Sequence, residues 1–148
     1  MATKAGTAII LVMIAASFAG AMLVTGAVTS SKSISNKGQL KAINVEVYQD
    51  SACTQIVSQI DWGALEPGSI INRTIYVKNT GNTALTLHLS TSNWNPTAAS
   101  NYITLSWNKE NVSVAPGAVV TAVLKLTVSS SISGISSFTF NIVVQGSG

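Results

Sequence analysis

Beyond residue 42 the apolar side chains of this sequence recur at every second position, a period that fits strands and not amphipathic helices. Leu85, Leu87 and Leu89 alternate with Thr86, His88 and Ser90, and Ile103, Leu105 and Trp107 alternate with Thr104 and Ser106. The pattern continues in Ile43/Val45/Val47, Ile75/Val77, Val120/Ala122/Leu124/Leu126/Val128 and Phe138/Phe140/Ile142/Val144, with a further short strand expected around Ile56 to Trp62. Turn-forming clusters separate them: "EPGS", "NTGN", "NWNPTAAS", "APGA" and "SISG". Two of these place Pro-Gly before a long alternating segment, as expected where antiparallel strands begin. Seven short strands with one polar face each imply a mainly β fold, a seven-stranded immunoglobulin-like β-sandwich.

The residues ahead of that domain follow another rule. From Ala5 to Ser31 no side chain is charged, and a helix of that length would reach roughly 40 Å, enough to cross a bilayer. Its strongly apolar part, Ala8 to Val28, exceeds the roughly 7–15 residues of a secretory h-region. Three readings stand: a secretion signal cut after Ala27, a membrane anchor, or a helix that packs against copies of itself. The pairs Ala15/Ala19 and Ala16/Gly20 have the small-xxx-small spacing that lets helix backbones approach closely. The expected organisation is a hydrophobic N-terminal helix over residues 1–31, a polar hinge over 32–41 and the sandwich over 42–148.

Charge narrows the function. Charged residues make up 9% of the chain, against about 25% in an average soluble protein. Residues 1–41 hold Lys4, Lys32, Lys37 and Lys41 and no acid, whereas the remainder sets four bases against five acids, a net of −1. A nucleic-acid-binding surface needs a dense basic patch on the folded domain, so that class is set aside. Cys53 is the only cysteine; an intrachain disulfide is impossible, and a small buried apolar side chain is expected there. His88, the only histidine, falls on a polar strand face, without neighbours at metal-ligand spacing. Neither a G-x-S-x-G elbow nor a phosphate-binding glycine loop occurs, and a non-enzymatic protein without cofactor or metal is expected. Asn72-Arg73-Thr74 and Asn111-Val112-Ser113 are N-glycosylation sequons, and alternation puts Asn72 opposite Arg73 and in phase with Thr74 and Tyr76. Of the three tryptophans, Trp107 is in phase with the core, while Trp94 in "NWNP" is read as a loop anchor.

The run from Lys4 through Ala16, "KAGTAIILVMIAA", resembles the N-terminus of archaeal type IV pilins and archaellins. The resemblance implies processing by a prepilin-type peptidase near Lys4, Ala5 and Gly6, after which the apolar helix forms a filament core. The chain departs from the bacterial pilin pattern in having no Glu near the start of that helix. The stretches "VYQDSACT", "IDWGALEPGS", "VKNTGNTALTLHLSTSNW" and "NYITLSWN" resemble small immunoglobulin-like modules of archaeal and bacterial surface proteins, which implies an exported domain. The expected function is therefore a self-assembling subunit of an extracellular archaeal filament, held in the membrane before assembly and serving adhesion or surface attachment. A variant of that design would use the segment from about Val28 to Tyr48 as a donor strand for the next subunit. The alternative is a membrane-anchored monomeric module that binds the cell envelope or a motility-machine component. Gly20→Leu is expected to block close helix packing and abolish assembly while leaving the sandwich folded; unchanged filaments by electron microscopy would refute that role.

Overall fold

The computed structural model describes residues 36–148. The expected N-terminal helix, its packing positions Ala15, Ala16, Ala19 and Gly20, and the processing positions Lys4, Ala5 and Gly6 lie outside the described residues. Among the described residues no helix is long and apolar enough to cross a membrane.

Strand β1 (Lys37–Ile43) starts inside the stretch read as a polar hinge. Its alternation is real but disguised, because the inward positions are Gly38 and Leu40 while Lys37, Gln39 and Lys41 face outward or partly outward. The expected strand through Ile43, Val45 and Val47 is broken at Asn44, whose φ of 63° is left-handed. Asparagine tolerates that conformation, and the Asn44 side chain fixes it by donating to the Gly146 carbonyl at 3.0 Å. After the break, β2 (Glu46–Tyr48) joins a different sheet. There follow β3 (Gln59–Asp61), β4 (Ile70–Lys78), β5 (Leu85–Asn95), β6 (Ile103–Trp107), β7 (Ser113–Val114), β8 (Val119–Val128) and β9 (Thr139–Ser147), with one 3-10 turn at Thr97–Asn101. Nine strands thus replace the seven expected: the Asn44 break divides one, and β7 is too short to leave a periodic trace.

These strands form a two-sheet β-sandwich. The first sheet has the order β3-β1-β9-β5-β7 and the second β2-β4-β8-β6. Odd-numbered strands fill one sheet and even-numbered strands the other, so every connection crosses from sheet to sheet. The Pro-Gly turns are accordingly arches between layers and not hairpins within one. All pairings are antiparallel except β1 with β9, which run parallel in register from Lys37↔Thr139 to Ile43↔Gln145. Residues 37–43 and 46–48, read above as part of a donor strand, pair within their own chain.

Between the sheets lie Leu87, Phe140, Ile142 and Val144 from one layer and Ile75, Val77, Leu124 and Leu126 from the other, all buried. Each such side chain contributes about 1.5–3 kcal/mol relative to exposure. Trp62 is also buried, and beside it Gly38 makes room for Ile142: a Cβ at residue 38 would stand 2.5 Å from Ile142 Cδ1, too close to fit. Trp94 lies within β5, not in a loop as read from sequence, and anchors the strand by stacking on Phe140 at 4.2 Å. Cys53, in contrast, is half-exposed. The Asp50 carboxylate gathers the N–H groups of Thr54 and Gln55 and the Thr54 hydroxyl, and the resulting tight loop turns Cys53 outward at φ 56°.

Two asparagines are the buried polar residues among those described. Asn79 donates to the Thr83 and Val114 carbonyls and accepts from the Gly81 N–H, which completes the "NTGN" turn. Asn36 ties down the first described residue: its side chain donates to the Gly63 carbonyl at 2.8 Å and accepts from the Phe138 N–H at 3.2 Å, and its own carbonyl accepts from Trp62 N–H at 2.9 Å. Beside it, Arg73 reaches from β4 to the Asp61 carbonyl on β3, its guanidinium 5.9 Å from the Trp62 ring centroid. Asn36→Ala leaves buried backbone groups of Gly63 and Phe138 without their amide and is expected to cost about 2 kcal/mol, lowering the thermal midpoint by roughly 10 °C. A melt unchanged from wild type would show that the amide does not secure this junction.

Candidate functional surface

The most developed polar cluster lies where β6 hands the chain to β7. Strand β7 pairs only with Leu85 and Thr86 of β5. The next outward-facing groups of β5 belong to Leu87, whose N–H donates to the Val112 carbonyl and whose carbonyl accepts from Asn111 N–H. One step further on, no strand among the described residues meets the Leu89 N–H, and the Glu110 side chain takes the strand's place, accepting it at 3.0 Å. Asn111 makes this possible by adopting φ 62°, which turns Glu110 back along the edge. The same carboxylate accepts from Trp107 Nε1 on β6 at 2.9 Å and from His88 Nδ1 on β5 at 3.0 Å. Glu110 thereby joins the rims of both sheets.

Burial pulls the Glu110 carboxyl upward, but the donors from Trp107, His88 and the Leu89 N–H outweigh it and hold the group below its usual value of 4.5. His88 stands on the polar face as its alternation required, yet it is paired with this carboxylate. Sequence reading missed Glu110 because its partners on β5 lie 21 and 22 residues away. The nearest available signal was Trp107, three residues before it. Trp107 itself points to the core side but is only half-buried, since β6 is an edge strand.

Chemically the cluster is a carboxylate that accepts three hydrogen bonds. Neither a hydroxyl nor a thiol is among the groups bonded to Glu110. Among the described residues no three His, Cys, Asp or Glu side chains come together in a way that could hold a metal ion. An open cleft at one end of the sandwich is lined by Asn44, Glu46, Asn79, Thr83 and Leu85, with Glu46 its ionisable group. That carboxylate accepts from the Tyr48 hydroxyl, which pushes the phenol up to about 12.

The two sequons occupy different settings. Asn72 is exposed on the outer face of β4 with Thr74, opposite the inward-turned Arg73. Asn111 is exposed at the left-handed turn before β7, and Ser113 is exposed as well. Both amides are open to solvent.

No family model matches the sequence, and no curated protein matches it. Among solved structures the chain is similar to the ASH / PapD-like domain of human CEP192 (PapD-like domain 7), with 8% identity and a TM-score of 0.34, over 88% of this chain and 96% of that one. A similarity of that size assigns neither family nor function.

Because Glu110 titrates lower in the folded state than in the unfolded chain, its contribution is complete above 4.5 and disappears as pH falls through its folded value. With the His88 and Glu110 side chains 42% and 44% exposed, solvent screening keeps the cost of Glu110→Gln at neutral pH to about 1 kcal/mol. Thermal melts of wild type and variant should differ near pH 7 and draw together as the pH falls below 4.5; a gap that stays constant as the pH falls would exclude the ionised carboxylate as the cause.

Proposed function

We propose that this chain is the repeating structural subunit of an extracellular, type IV pilus-like archaeal filament. In this reading the N-terminal apolar segments bundle as the core and the immunoglobulin-like sandwich faces outward, serving adhesion or surface attachment. The observation that carries it is how few residues of sequence separate the uncharged run from the anchored start of the domain. Only residues 32–35 separate the uncharged run ending at Ser31 from Asn36, which is buried and bonded to Gly63, Trp62 and Phe138. A filament subunit must hold its outer domain in a fixed relation to its core segment, because the same contact is repeated along the fibre. A tethered monomeric binder has no such need and favours a longer, flexible linker.

Other features support the reading. The division of the described strands into two facing sheets supports an immunoglobulin-like reading of the sandwich. The hydroxyl-rich outer positions Thr74, Thr104, Ser106 and Thr121 suit an exterior surface, and the exposed Asn72 and Asn111 suit a glycoprotein. The membrane holds the chain before assembly, and copies of the chain are its principal partners.

Electron microscopy of native material, with mass spectrometry of its N-terminus, tests the proposal. Uniform filaments built from chains beginning near Gly6 are the expected result. Dispersed monomers in detergent with Met1 intact would replace it with the membrane-anchored module, and an N-terminus near Val28 would replace it with ordinary secretion or donor-strand assembly.

A further inference from the structure

The four sheet edges are not protected alike. An edge strand offers unpaired N–H and C=O groups to any passing strand, and proteins blunt such edges by shortness, charge, proline, bulges or covering segments. Strands β2 and β3 have three residues each and carry Glu46 and Asp61, and β7 has two. The two thirds of β4 that extend beyond β2 carry Arg73, whose guanidinium donates to the Asn72 carbonyl on that edge. Strand β6 is the exception: it has five residues, Ile-Thr-Leu-Ser-Trp, without charge, proline or glycine.

The hydrogen-bond phase shows which groups β6 leaves open. Ser129 N–H donates to the Tyr102 carbonyl, so in the antiparallel register with β8 the backbone groups of Thr104 and Ser106 face β8. Those of Leu105 and Trp107 face away, and among the described residues no strand pairs on that side. The side chains of Leu105 and Trp107 point to the core side but remain half-exposed, leaving an apolar rim along the same edge.

We propose that the β6 edge pairs with β6 of a second copy of this chain, antiparallel about a two-fold axis at Ser106. The strand is suited to meeting itself. With Ser106 on the axis, Leu105 stands opposite Trp107 of the second copy, and both of their backbone groups exchange hydrogen bonds. Each aromatic side chain then covers an aliphatic one, a favourable cross-strand pair, while the outer face brings serine to serine and Thr104 to Asn108. Because β6 carries no charge, no like charges oppose each other within the pairing, and Lys109 falls opposite Ile103. A foreign strand would gain the same backbone bonds but has no reason to match this alternation of apolar and hydroxyl side chains. A two-fold contact closes on itself and cannot propagate a polar fibre. Where copies are arrayed in filaments, it would join neighbouring filaments side by side. The inference does not depend on the filament reading.

Oxidative cross-linking of the full chain, dispersed in detergent, tests it. With Cys53→Ser removing the native thiol, Ser106→Cys places two thiols across a non-hydrogen-bonded pair, where Cα atoms about 4.5 Å apart fit a disulfide. Covalent dimer should form at least about ten-fold faster for Ser106→Cys than for Thr121→Cys on the exposed outer face of β8, with the thermal midpoint of the reduced protein unchanged. Equal rates at the two positions would overturn the pairing. Faster cross-linking at Thr104→Cys than at Ser106→Cys would overturn this register, and recovery of Ser106→Cys bound to a different protein would overturn the second copy as occupant.

Discussion

Every connection in this domain crosses from one sheet to the other, so no strand is hydrogen-bonded to its neighbour in sequence. Cohesion therefore rests on the apolar layer between the sheets, where Leu87, Phe140 and Ile142 meet Ile75, Leu124 and Leu126. A meander can form one hairpin at a time; here each ladder joins segments brought together only after the chain has passed through the opposite layer. Loop closure comes before the reward, which places the fold among slow-forming, non-local topologies. With no intrachain disulfide possible in this sequence, the burial of that layer, or contact with neighbouring subunits, carries the domain's stability.

Polar side chains complete the sandwich where the strands run out. Asn36 and Arg73 close one margin, binding Gly63, Phe138 and Asp61, while Glu110 closes another by acting as a surrogate strand for Leu89. Asn79 does the same inside a turn. Each replaces a missing backbone partner with a side chain, which is what buried polar backbone requires where a ladder ends. The charged members sit at exposed margins, and the two fully buried members are neutral amides. That division avoids the desolvation cost of an enclosed ion.

How much of this was legible in the sequence depends on the scale of the cause. The inward sets of β8 and β9, Ala122/Leu124/Leu126/Val128 and Phe140/Ile142/Val144, follow directly from alternation, because burial of a strand face is a local pattern. The Asn44 break was not legible: Ile43, Val45 and Val47 keep the period across it, and the left-handed turn is secured by a carbonyl 102 residues away. Asn36 looked like one more polar residue of a hinge, since its partners Gly63 and Phe138 are set by tertiary structure alone. Glu110 escaped for the same reason, although His88 was correctly placed on the outward phase. Asn72 and Asn111 were visible as sequons, but only the backbone distinguishes a residue on a flat strand from one at a left-handed turn.

The parallel pairing of β1 with β9 has a mechanical side. The first described residues and the last strand lie next to each other and run in the same direction. A pull applied between residue 36 and residue 148 would slide β1 along β9 and strain the whole ladder at once, instead of opening its bonds in turn as a zipper. A load applied in that way would be shared by all seven paired positions of β1 and β9, so what looks like a topological detail also sets how the domain would bear shear.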